Sequence, residues 1–289
     1  MVKELRERTG AGMMECKRAL VEAGGNLDAA AEALRAAGAA KADKKASRVA
    51  ADGRVVIQVN GSKAVIAEVN SETDFVAKDE NFIGFADAVA AASLASGVTD
   101  AVALTGVALG DATVEVARTE LVQKVGENIS VRRAEIIAND GPIGVYTHGA
   151  RIGAVVALDG GDEILARDIA MHVAATNPTC IDESGVPAEM LETEKRIFTE
   201  QAVESGKPPE IIEKMIGGRI NKFLKEITLV GQPFVKDDKQ TIGQLLKAAG
   251  ASVASFTRYE VGEGIEKKVE NFADEVMKQI ADAKPPKGA

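Results

Sequence analysis

Twice in this chain a pair of short apolar strands runs into a helix with one apolar face, and this repeat restricts the fold more than any other feature. In the first copy, residues 54–59 read as a strand, Asn60-Gly61 as a two-residue turn and residues 64–70 as the returning strand. Within the return, Val65, Ala67 and Val69 alternate with Ile66, Glu68 and Asn70, the period of two that a sheet requires. A helix follows with Phe82, Phe85, Val89 and Ala92 on one face. In the second copy, residues 143–147, a turn at Gly149-Ala150 and residues 152–158 precede a helix in which Leu165, Ile169, His172 and Val173 face inward. Strands at 129–137 and 253–261 complete the two sheets. The expected fold is α+β, a two-part antiparallel-sheet core with helices on one face of each part.

The remaining segments attach to that core. Residues 1–38 read as a three-helix module. Thr9-Gly10-Ala11-Gly12 breaks its first helix, Gly24-Gly25 ends its second, and Asn26 caps its third, where Leu27, Ala30, Ala31 and Leu34 share a face. Met13-Met14 reads as core or as an adaptable contact surface. Residues 39–52, with Lys41, Lys44, Lys45 and Arg48, read as a basic linker, helix-prone or flexible. The first half of the core spans 53–140, and the second spans 141–186 and 228–262. Between the two pieces of the second half, residues 187–227 form an inserted helical hairpin turning at Gly206-Lys207-Pro208-Pro209. Its second helix carries a broad apolar stripe that fits self-association or packing on the core. After a Gly262-Glu263-Gly264 hinge, Ile265, Val269, Phe272, Val276 and Ile280 form the stripe of a C-terminal helix within 263–289, which reads as a docking arm or as a helix packed back on its own core.

Composition narrows the function. The 289 residues carry a formal charge of −9, which argues against direct contact with a nucleic-acid backbone. No apolar run approaches the length of a membrane span, and the charged N-terminus does not read as a secretory signal. Two distant cysteines, Cys16 and Cys180, make no disulfide framework, so the expected compartment is the cytoplasm. The chain has neither a GxxxxGK[ST] phosphate loop nor a GxGxxG turn, and its two histidines lack metal-ligand spacing. No cofactor, no metal and no enzymatic activity are expected. His172, on an apolar helix face, reads as a core histidine.

The residues most suggestive of function follow the first return strand. Phe75 sits in a charged loop between Asp74 and Lys78-Asp79-Glu80. Physics alone leaves two readings open. Asp74 caps a helical turn while Phe75 plugs the core beneath it, or the ring is a wedge for another protein's groove with a carboxylate beside it.

Thr73-Asp74-Phe75-Val76 resembles the signature of the bacterial elongation factor Ts family, nucleotide exchange factors for elongation factor Tu. The likeness extends through residues 2–20, 50–53, 124–129, 148–153 (HGARIG), 169–175 (IAMHVAA), 231–235 (GQPFV) and 258–267, in the family's order and nearly end to end. It implies that the N-terminal module is a ubiquitin-associated-like bundle. It implies that Thr73, Asp74, Phe75 and Val76 form an exchange wedge that disturbs the Mg²⁺ and nucleotide site of elongation factor Tu, so that GDP leaves and GTP reloads. By the same resemblance Lys17, Val125, Gly126, His148 and Val235 face that partner, and the inserted hairpin serves a homodimer or a two-plus-two complex. Val125 stands where the family often has Ile, and Ser71-Glu72 where it often has Cys-Gln. A second functional class is a non-enzymatic adaptor or chaperone-like dimeric module that binds through the N-terminal bundle.

Overall fold

The computed structural model describes residues 1–204 and 208–266. Two three-stranded antiparallel sheets form its centre. In the first, β1 (Asp52–Asn60) pairs with β2 (Lys63–Ser71), and β2 pairs in turn with the later strand Ser130–Ala138. In the second, strand Ile152–Asp159 lies between Ile143–His148 and Ser252–Glu260. The returning strand of each hairpin is thus the central strand of its sheet. The first hairpin differs from expectation by one residue. Asn60 pairs with Lys63, so the two loop residues are Gly61-Ser62. The first loop position takes the positive φ of 57°, which only glycine adopts without strain, and that fixes the register.

Helices cover one face of each sheet, as the repeat predicts. On the first, α4 (Glu80–Ser96) and α6 (Val114–Val125) bury Phe82, Phe85, Val89, Leu121 and Val122 against Val65, Ala67 and Val69 of β2. Between these helices come a one-turn helix, α5 (Ala101–Leu104), and a minimal hairpin, β3 (Ala108–Leu109) and β4 (Ala112–Thr113). The strand Ser130–Ala138 is β5. In the second half β6 (Ile143–His148) and β7 (Ile152–Asp159) precede α7 (Glu163–Thr176), whose Ala166, Ile169, Ala170 and Val173 pack on Ala154, Val156 and Leu158 of β7.

The other faces of the sheets meet each other. Val55, Ala64, Ile66 and Ile137 of the first pack on Val155, Ala157 and Tyr259 of the second. The core is therefore four layers, helices–sheet–sheet–helices, and β2 is buried on both faces beyond Lys63. The close approach needs a missing side chain. A Cβ on Gly153 would stand 2.6 Å from Val55 Cγ1 and 3.1 Å from Ile57 Cδ1.

The N-terminal bundle consists of α1 (Val2–Thr9), α2 (Met13–Glu22) and α3 (Leu27–Lys45) around Leu5, Cys16, Leu20, Ala30 and Leu34. The Asn26 side chain accepts hydrogen bonds from the backbone of Asp28 and Ala29, capping α3. α3 does not stop near residue 38. Its alanine-rich second half carries the helix to Lys45, so the first half of the basic segment is helix rather than flexible linker. That extension packs on the core: Ala42 belongs to the first-half cluster, and Gly38 lies close against Gln123 of α6. Met13 and Met14 are exposed, at 61% and 72%, so they form surface and not bundle core.

Within the second half, α8 (Ala188–Glu204) and α9 (Pro209–Ile227) form the inserted hairpin, joined by the edge-to-face pair Phe198–Phe223 at 6.4 Å. The chain then returns through β8 (Pro233–Phe234), β9 (Asp237–Thr241), α10 (Ile242–Ala248) and β10 (Ser252–Glu260). Beyond Glu266, the expected C-terminal helix lies outside the described residues.

Candidate functional site

β2 delivers the chain to the loop that the sequence singles out. Ser71 is buried, and its hydroxyl donates to the Thr73 carbonyl at 2.9 Å. The Thr73 carbonyl also accepts from the Ala77 amide at 3.3 Å, and one 3-10 turn follows at Val76–Lys78. Phe75 stands at the head of that turn, in ordinary helical geometry, with 81% of its surface exposed. It does not plug a core. Asp74 does not cap a helix either: its carboxylate takes a 2.6 Å ion pair from Lys78. The hydrogen bond from Lys78 holds the Asp74 carboxyl below the usual aspartate range. Capping of α4 falls instead to Asp79, which accepts from the Asn81 amide at 2.9 Å and the Phe82 amide at 3.4 Å. An exposed ring on a hydrogen-bonded turn, beside an ion-paired carboxylate, can enter a neighbouring surface without first leaving its own fold.

A second loop lies against this one. α6 ends at Val125, with Gly126 in the left-handed conformation that terminates the helix. The Glu127 carboxylate accepts two hydrogen bonds from Thr73, from its amide at 3.0 Å and its hydroxyl at 2.6 Å. In the reverse direction the Asn128 amide donates to Glu72 Oε1 at 2.6 Å. The end of α3 joins them: Lys45 Nζ donates to the Gly126 carbonyl at 2.6 Å, and the Asn128 side chain donates to the Arg48 carbonyl at 2.8 Å. Burial holds the Lys45 ammonium below its usual range, and the charge of Arg48 adds to that. Segments 45–48, 72–74 and 126–128 thus converge, and Val125 and Gly126 become neighbours of Thr73–Val76.

His148 closes β6 and is exposed, its Nδ1 3.3 Å from the Tyr146 hydroxyl. Its hairpin meets β1: the Val55 amide donates to the Ala150 carbonyl at 2.8 Å, and Arg151 pairs with Asp52 at 3.0 Å. Asp52 pairs with Ser71 across the first sheet, which places this hairpin at the same end as Phe75. Lys17 and Val235 lie elsewhere. Lys17 is exposed on α2, on the face that also presents Met13, Met14 and Val21. Val235 is 46% exposed after the buried Phe234, and its amide donates to His172 Nδ1 at 3.3 Å. His172 is fully buried, its Nε2 2.9 Å from Gln232 Oε1, a satisfied core group. Burial lowers its pKa, and the bond to Gln232 only partly offsets this.

Sequence reasoning missed Glu68. This carboxylate, at 0% exposure, receives Arg132 Nη1 at 3.0 Å, Arg133 Nε at 2.7 Å, Asn70 Nδ2 at 2.9 Å and the Gly262 amide at 2.8 Å. Burial favours the neutral acid, but the Gly262 amide, Asn70 and the two guanidinium groups outweigh it and hold the carboxyl below the usual glutamate range. Arg132 also donates to the Glu263 carbonyl, and Arg133 lies 4.0 Å from the Tyr259 ring centre. Gly262-Glu263-Gly264 is therefore a turn pinned to the core. One signal was available: Glu68 is the only charge in an otherwise uncharged strand, residues 64–70.

Among the described residues no helix is long and apolar enough to cross a membrane. The family model described as "Elongation factor TS" matches residues 72–263, about two thirds of the chain. The elongation factor Ts of Thioalkalivibrio sulfidiphilus is 59% identical over 287 residues, covering 98% of each chain. That of Methylococcus capsulatus is 59% identical over 284 residues, 97% of each, and that of Legionella pneumophila 58% over 283 residues, 97% of each. Because the family model spans well over half the chain, and such identity runs nearly end to end, this chain belongs to the elongation factor Ts family.

Proposed function

We propose that this chain is a guanine nucleotide exchange factor that acts by binding elongation factor Tu and performs no chemistry of its own. The exposed Phe75 on its anchored turn carries the reading, and membership of the family supports it. Phe75 enters a pocket on the partner's nucleotide domain, with Asp74 beside it and Thr73 and Val76 framing the turn. The partner's elements that hold Mg²⁺ shift, and the diphosphate loses its largest neighbouring positive charge. Val125, Gly126 and His148 extend the contact from the same end of the core. Lys17 serves through the bundle, and Val235 through the second half. Because affinities are linked reciprocally, a factor that binds the nucleotide-free partner more tightly weakens nucleotide binding by the same ratio. Burying one phenylalanine side chain is worth about 1.5–3 kcal/mol, so a ring buried only against the nucleotide-free partner supplies about tenfold or more of that ratio.

Residues 263–289 act as a docking arm for the same partner, and the half-buried apolar stripe of α8–α9 supports a homodimer or a two-plus-two complex. The cytoplasm is the compartment for this role. An adaptor role for the N-terminal bundle gains no support from the family match.

The test is release of a fluorescent GDP analogue from elongation factor Tu, chased with unlabelled GDP, at substoichiometric amounts of this protein. Catalytic acceleration is expected, and Phe75→Ala should reduce it at least tenfold with an unchanged melting temperature. A Phe75→Ala protein as active as the parent would remove the wedge.

A further inference from the structure

The exposed ring raises the question of what aims it. Phe75 has no packing of its own to fix its direction, so its backbone must do so. Within the loop the Thr73 carbonyl is the local anchor, accepting from Ser71 and Ala77. Thr73 itself is held from outside by Glu127, at 3.0 Å through its amide and 2.6 Å through its hydroxyl. The neighbouring pair runs the other way, from the Asn128 amide to Glu72 Oε1 at 2.6 Å, with Arg48 Nη1 a weaker partner at 3.4 Å. Each loop therefore lends a carboxylate to the other's backbone. Arg54 adds one long bond, 3.4 Å, to the Ala77 carbonyl. Hydrogen bonds to a charged acceptor are stronger than neutral ones, and two donors on one carboxylate also fix direction.

We propose that Glu127 is a positioning residue for exchange, with Glu72 as its counterpart: the crossed carboxylate clasp between residues 72–73 and 127–128 pre-orders the turn that presents Phe75. The inference rests on the wedge reading of Phe75. Glu127 need not touch the partner; it acts by removing the ordering cost that a loose loop would meet on binding. The clasp also couples the Phe75 turn to Val125-Gly126, so the two loops present one surface.

The experiment measures GDP release from elongation factor Tu against the concentration of Glu127→Ala, Glu127→Gln, Thr73→Val and Glu127→Ala/Phe75→Ala proteins, with thermal melts alongside. Glu127→Ala should lower the saturating release rate about three- to tenfold, the ordering cost of one freed side chain, with little change in the half-saturating concentration. Glu127→Gln should recover most of the rate, because its amide oxygen accepts the Thr73 amide and its nitrogen donates to the Thr73 hydroxyl. Thr73→Val loses the hydroxyl arm to Glu127 and a long 3.4 Å bond from the Val76 amide, keeps the amide arm, and should show a smaller loss in the same direction. In the Phe75→Ala background, Glu127→Ala should cost less than about twofold, since there is no ring left to aim. A parent-like rate for Glu127→Ala, or an equal loss with and without Phe75, overturns the positioning role while leaving the wedge intact. A parent-like rate for Phe75→Ala alone overturns the wedge and this inference together. If Glu127→Ala does not fold, a parent-like rate for Thr73→Val overturns the clasp.

Discussion

Replacing Glu68 by glutamine should destabilise this protein more than any change at Phe75. Five hydrogen-bond contacts converge on the Glu68 carboxylate: two from Arg132, at 3.0 and 3.2 Å, and one each from Arg133, Asn70 and the Gly262 amide. An amide offers one oxygen and two donors where the site supplies only donors. Whichever way the substituted side chain is turned, its NH₂ faces a guanidinium group or the Asn70 and Gly262 donors. Removing one member of a buried ion pair costs about 3–5 kcal/mol. Arg132 and Arg133 are each about a quarter exposed and regain some water, so the lower end applies, about 3 kcal/mol. The assay is urea denaturation of parent and Glu68→Gln at pH 7 and at descending pH. The folded-state pKa of Glu68 lies below its unfolded value of 4.5, so its contribution is complete above that value. It is lost as pH falls through the folded-state pKa. The gap between the two proteins should therefore be constant near neutrality and narrow on acidification below pH 4.5. A difference under about 1 kcal/mol at pH 7, or a gap that does not close in acid, refutes the reasoning.

Other perturbations probe separate layers. Gly153→Val places a side chain where Val55 Cγ1 is 2.6 Å from an added Cβ, so the sheets must part; a loss of about 2–3 kcal/mol is expected in denaturant titrations. Asp79→Ala removes the α4 cap and should cost about 1 kcal/mol of stability, with exchange changed far less than by Phe75→Ala. His172 has a folded-state pKa below its unfolded 6.5, so its contribution is complete above pH 6.5 and is lost as pH falls through the folded-state value. Stability of the parent should decline across that window, and His172→Gln should flatten the slope; identical slopes would count against a neutral buried ring.

The sheets were legible because alternation and turn residues are local signals. Each strand–turn–strand–helix unit is a local pattern, whereas the central place of the returning strand depends on a third strand far along the chain and was not legible. The exposed aromatic was visible too, as a ring among Asp74, Lys78 and Asp79, although sequence left its direction open. What sequence withheld is what distant segments do for each other. Arg132 and Arg133 reach Glu68 from 64 and 65 residues away, and Gly262 from 194. The pinning of 262–264 was not legible, because nothing local says that its amide has a buried carboxylate waiting. Glu127 lay inside a stretch that resembled the family, yet its bond to Thr73 spans 54 residues. The basic segment after residue 38 was legible only as helix-prone or flexible: its alanines made helix as far as Lys45, and the burial of Ala42 in the core gave no local signal.

On the proposed wedge reading, stability and exchange are carried by different residues of one loop-and-strand unit. β2 is buried on both faces and ends in a tethered turn, so Ile66, Glu68 and Val69 belong to the buried scaffold. Phe75 lies a few residues later and contributes almost nothing to that energy, because its ring stays in water in the free protein. A ring buried in its own core would have to be withdrawn before it could bind, and the cost would be subtracted from the coupling available to loosen a nucleotide. An exposed ring on a floppy loop would lose the same coupling to ordering. The remaining arrangement, a ring left in water on a turn fixed from outside, keeps nearly all of its burial energy for the partner. This requires anchors that do not involve the ring, and the carboxylates of Glu72 and Glu127 meet that requirement.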